Sequence, residues 1–126
     1  MLNKDIADEW FSFANNDLQS AKFLVQMKPV PLEIICYHCQ QSAEKYLKGY
    51  IALKGGNVIR THDLTALSRE SLKYNSSFIE INDDCIELVD YGVQVRYPFH
   101  INLEERDMVK ALQSAEKIKE FILNII

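Results

Sequence analysis

Arg96 and His100 are an arginine and a histidine four positions apart, two residue types able to act on a phosphate. An imidazole gains and loses a proton near neutral pH, and a planar guanidinium steadies charge on a phosphoryl group. The two are separated by three residues, with Tyr97 and Pro98 directly after the arginine. On an intact helix a spacing of four places two side chains on one face. Pro98 interrupts such a helix, so the spacing alone does not bring them together. The plainer alternative has Arg96 closing a helix against its own carbonyls or a carboxylate, with His100 in a loop.

A second set of cations, Lys45, Lys48, Lys54, Arg60 and His62, forms a candidate phosphate-binding strip. Within it Glu44 and Lys48 stand four apart in the favourable order, which points to an ordinary ion pair on a solvated helix face. His62 and Asp63 are adjacent, so they do not face each other, and Asp63 is better placed to cap the helix that follows. Cys36, His38 and Cys39 make part of a zinc-like pattern, with Cys85 as a further sulfur. No second Cys or His pair completes it, so no metal and no cofactor is expected, and the thiols are expected free and buried. The rings of Trp10, Phe13, Tyr46 and Tyr50 are suited to stacking on a base, but at helical spacing they are expected in the core.

These side chains must be positioned by helices. Glycines and prolines gather at Pro29 and Pro31, Gly55 and Gly56, and Pro98, leaving long uninterrupted segments. Trp10, Phe13, Ala14, Leu18, Ala21 and Val25 recur every three or four residues and predict a helix from about Asp5 to Lys28, stopped by the proline pair. Pro31 opens a second helix striped with Ile35, Cys39, Ser42, Ala43, Tyr46, Tyr50 and Leu53 and stopped by Gly55 and Gly56. Thr61 or Asp63 caps a short third helix through Leu72, and Ile81, Cys85, Leu88, Val89 and Val93 mark a fourth that ends at Arg96. Asn102 caps the last, striped with Met108, Leu112, Ala115, Ile118, Ile122 and Ile125. No useful stretch alternates with a period of two. The expected fold is all-α: an up-down antiparallel four-helix bundle with an additional short helix, five in all, forming one domain over residues 1–126.

The chain has 126 residues, 48% of them hydrophobic and 25% charged, which is the balance of an ordinary globular domain. A net charge of −4 argues against indiscriminate attraction to nucleic acid, so any phosphate contact must come from a local cluster. No apolar run is long enough to span a bilayer, no leader pattern opens the sequence, and a cytoplasmic location is expected.

Taken in order, Trp10 with Ala14, Asp17-Leu18 and Ala21, then Gln40-Gln41-Ser42-Ala43-Glu44-Lys45-Tyr46-Leu47-Lys48, then Thr61-His62-Asp63-Leu64, then Arg96-Tyr97-Pro98, resembles the HEPN family over nearly the whole chain. Three separated motifs in the right order carry the likeness. The resemblance implies a helical bundle, commonly a homodimer, that accompanies a small nucleotidyltransferase and in some branches is a metal-independent RNase. In those branches the catalytic arginine and histidine have four to six residues between them, whereas Arg96 and His100 have three. The expectation is therefore a dimeric module that binds nucleotide or RNA phosphate through Lys45, Lys48, His62, Arg96 and Tyr97 and partners a separately encoded minimal nucleotidyltransferase. Two rivals stand beside it: a toxin-type RNase, as in toxin-antitoxin pairs, that uses Arg96 and His100 as catalytic residues, and an interaction adaptor without a ligand.

Overall fold

The computed structural model describes residues 2–92 and 102–126. They form five α-helices, α1 (Asn3–Leu24), α2 (Leu32–Leu53), α3 (Leu64–Leu72), α4 (Asn82–Val89) and α5 (Glu105–Ile125), with a 3-10 helix at Ser76–Ile81 leading into α4. No strand occurs among the described residues. The expected all-α bundle of five helices is what forms.

α2 is the central element, packed against α1, α3, α4 and α5. Ile35, Cys36, Cys39, Ala43, Tyr46, Leu47, Tyr50 and Ile51 are buried along one broad face, and the polar Gln40, Ser42, Glu44 and Lys48 are buried as well, so burial runs most of the way around this helix. A helix of that kind is covered by neighbours on nearly every side. At the tightest point, a Cβ built on Gly49 would lie 2.5 Å from the Phe11 ring of α1, so only glycine lets the two helices approach this closely. Beneath, Tyr50, Phe78 and Phe121 pack in series, the first two tilted and the last two edge to face, with centroid spacings of 4.6 and 5.0 Å.

Helix ends follow local chemistry. Gly55 takes a φ of 76°, and the Gly56 amide donates to the Ile51 carbonyl at 3.0 Å, closing α2 in the manner of a Schellman turn. Asp63 caps α3 by accepting from the amides of Thr65 at 3.0 Å and Ala66 at 3.4 Å. Three boundaries differ from expectation, the first being that α4 ends at Val89 and passes into a turn at residues 90–92, short of the expected end at Arg96. α1 ends at Leu24, before Lys28, and α5 starts from Glu104, whose amide donates to Asp107 Oδ2 at 2.8 Å, in place of Asn102. Phe13 also departs from its expected core position: it is 59% exposed, while Ala14, Leu18 and Ala21 carry the buried stripe of α1.

Candidate functional site

On α2, Gln40, Gln41, Glu44, Lys45 and Lys48 recur at the spacings that align side chains along one helix face. Such a face ordinarily meets water. Here α1 covers it with Trp10 and Asp17, and the loop between α2 and α3 covers it with His62. Gln40 has no exposed surface, Glu44 is 4% exposed and Lys48 is 8% exposed.

Buried polar atoms need partners, and these have them. The Lys48 ammonium donates to Glu44 Oε2 at 2.9 Å and lies 5.7 Å from the centre of the Trp10 ring. The other Glu44 oxygen meets His62 Nδ1 at 2.9 Å and the Gln40 amide at 3.2 Å. The same Gln40 nitrogen donates to the His62 carbonyl at 3.0 Å, tying the loop to α2. Gln41 donates to Gln40 Oε1 at 2.7 Å and accepts from Lys45 at 3.3 Å. Lys45 in turn contacts Asp17, whose other oxygen meets His38 Nδ1 at 2.9 Å. The result is one hydrogen-bonded chain running from His38 to His62 across the face of α2. Its two carboxylates and two ammoniums cancel.

The two ends of the chain differ. His38 opens on a shallow cleft of about 480 Å³ lined by Gln19, Ser20, Phe23 and Leu24. His62 stands out into solvent, with 63% of its side chain exposed, above a carboxylate that is 6% exposed. A buried carboxylate that accepts from Nδ1 fixes the imidazole's tautomer and aims Nε2 outward. Two residues away, Arg60 is exposed and has no carboxylate partner among the described residues. The backbone of Gly92 packs on this same network, since a Cβ built there would lie 3.3 Å from the Gln40 amide.

A family model described as HEPN domain matches residues 7–126. The chain belongs to the HEPN family. Among solved structures it is similar to that of TT1696 from Thermus thermophilus, with a TM-score of 0.79 and 22% identity over 95% of this chain and 98% of the other. It is also similar to ST0689, an archaeal HEPN homologue, with a TM-score of 0.72 and 22% identity over 94% and 95% of the two chains. No curated protein matches.

In this HEPN domain the sequence-predicted residues separate into three groups. Lys45 and Lys48 lie on one face but are engaged by Asp17 and Glu44, so the expected solvated ion pair of Glu44 and Lys48 is a buried one. His62 joins them through Glu44, and Asp63 turns away to its cap. Arg96, Tyr97 and His100 lie outside the described residues. Asp17, His38, Gln40 and Gln41 were not anticipated as network members, and Glu44 was anticipated only as the partner of Lys48. No periodicity marked Glu44 for burial, since it falls on the polar face of α2 and is covered by α1 and the loop ahead of α3.

The cysteines play no part. Burial pushes the thiols of Cys36 and Cys85 up to about 12 and raises that of Cys39 further, so none is a thiolate near neutral pH. Among the described residues no group of three or more Cys, His, Asp or Glu side chains is arranged to hold a metal ion, and no helix is long and apolar enough to cross a membrane.

Proposed function

We propose that this HEPN domain is a dimeric module that binds nucleotide or RNA phosphate and partners a separately encoded nucleotidyltransferase. The observation that carries the reading is the His62 imidazole, exposed yet clamped from below by the buried Glu44, with Arg60, which has no partner among the described residues, two residues away along the chain. Fold stability does not call for an ordered imidazole on the surface, whereas an oxyanion is well served by one. Arg96, Tyr97 and His100 enter this reading through the family resemblance alone. Lys45 and Lys48 then act indirectly, by holding the two carboxylates, and not as direct phosphate ligands.

A homodimer is supported by the exposed Phe13, Phe23 and Met27 on or just after α1, since apolar side chains gathered along one helix favour a partner surface. Sedimentation at micromolar concentration is expected to give twice the chain mass, and a monomer removes the dimer.

The test of function is binding and cleavage measured together. Labelled single-stranded RNA is incubated with the purified protein in a chelator. Expected are saturable binding, weakened by Arg96→Ala, and intact RNA. Metal-independent cleavage lost in both Arg96→Ala and His100→Ala would replace this reading by the RNase one. Absence of binding to RNA and to every common nucleotide would leave the adaptor reading.

A further inference from the structure

The charges around His62 do not add up to a permanent anion site. From α2, Glu44 and Lys48 face it and cancel. Beyond them Lys45 and Asp17 cancel as well. At the start of α3, the Asp63 carboxylate is occupied by the Thr65 and Ala66 amides and the Thr65 hydroxyl, and Arg69 adds an attractive charge to it. α1 contributes the Trp10 ring, which lies over Lys48. Among the described residues around this point, Arg60 is the fixed cation left over, and His62 is the group whose charge can change.

The clamp makes that change one of sign at the exposed nitrogen. In a neutral imidazole whose Nδ1–H donates to Glu44, Nε2 presents a lone pair, which repels a phosphate oxygen. In the protonated ring Nε2 becomes a charged donor, which a phosphate oxygen accepts at short range. Because Glu44 holds the ring in place, the imidazole cannot turn over to offer Nδ1–H instead.

We propose that phosphodiester binding at this site is proton-linked through His62, with Glu44 as the positioning residue and Arg60 as the standing cation. The inference rests on the phosphate-handling reading above and adds its regulation: the site is strong for the ester when His62 carries its second proton and weak when it does not. A phosphodiester is the informative ligand because its single charge does not titrate near neutral pH, whereas a phosphate monoester changes charge in the same range as an imidazole.

The experiment uses rhodamine-labelled oligouridylate, whose bases and bridging phosphates do not titrate in the range used, at constant ionic strength from about pH 5.5 to about pH 8. The wild-type protein is expected to lose roughly tenfold in affinity across that range, the equivalent of one pKa unit of linkage. His62→Gln is expected to bind weakly with no pH dependence. In NMR, the His62 ring proton signals of the wild-type protein should titrate at higher pH with the oligonucleotide bound than without it. A wild-type slope that survives in His62→Gln assigns the proton to another group and overturns the proposal. So does pH-independent binding by the wild type, or a His62 titration indifferent to the ligand. Failure of the wild type to bind at any pH is a different result: it removes the phosphate reading, and this inference with it.

Discussion

Two lysine–carboxylate pairs in this HEPN domain share their chemistry and their spacing along a helix, and differ in their order along it and, above all, in their surroundings. Lys4 and Asp8 on α1 are four apart and 2.8 Å from each other, with side chains 75% and 55% exposed. Glu44 and Lys48 on α2 are four apart and 2.9 Å from each other, with side chains 6% and 10% exposed. In water the first pair is screened and loses rotamer freedom to form, so it contributes next to nothing. Inside the bundle each ion of the second has given up its hydration, at several kcal/mol apiece, and one partner does not compensate for that. The protein surrounds it accordingly with His62 and Gln40 on the carboxylate and Trp10 under the ammonium. Contact distance does not distinguish a decorative ion pair from a structural one; what else each ion touches does.

The largest expected effect is at Glu44. Glu44→Ala leaves the Lys48 ammonium buried without a counter-ion and strips His62 of its anchor, at a cost of about 3–5 kcal/mol in urea unfolding. Replacing both members by apolar residues of similar size, Glu44→Leu with Lys48→Met, should recover most of this loss, because no unpaired charge remains. A single Glu44→Ala variant as stable as the parent would abolish the contrast between the two pairs.

How much of this was legible from the amino-acid order follows from the range over which each feature is decided. The Gly55 stop of α2, the Asp63 cap of α3 and the three long amphipathic helices are settled within a few residues of themselves, and they appear where the pattern puts them. Glu44 and Lys48 were recognisable as a pair, but their burial depends on α1 and the loop ahead of α3, elements distant along the chain. His62 reaches back 18 residues to Glu44, and His38 reaches back 21 to Asp17. No local periodicity announces such contacts. The outward turn of Phe13 has the same origin: Ala14, Leu18 and Ala21 already fill the seam with α2, and a large ring one position earlier has no room there.

Asp63 stands between the two extremes, an exposed carboxylate whose partners are backbone amides held in place by the helix itself. Asp63→Ala should lower stability by about 1 kcal/mol, and Asp63→Asn by part of that, since asparagine keeps an acceptor oxygen for the amides but not the charge. The side-chain hydrogen bond from Thr65, and then the amides of Ala66 and Thr65, hold the Asp63 carboxyl below its ordinary value. A carboxylate with a depressed folded pKa contributes fully above its unfolded value of about 3.8 and loses that contribution as pH falls through the folded one. The gap between parent and Asp63→Ala should accordingly close in acid. A gap that stays open there would mean the cap does not act through its charge.

The smallest effect is expected where the geometry looks as good as anywhere in the molecule. The hydrogen bond to Asp8 raises the Lys4 pKa, so by the same linkage the pair contributes below pH 10.5 and loses its contribution above. That window includes neutral pH, yet both side chains lie in water, in the first turns of a helix whose ammonium precedes its carboxylate, the less favourable order. Lys4→Gln should therefore leave the melting temperature unchanged within error, in low salt as in high. Were it to lower the melting temperature by more than Asp63→Ala does, burial would no longer explain why Glu44 and Lys48 matter, and the orientation of the pair or the helix end would have to take its place.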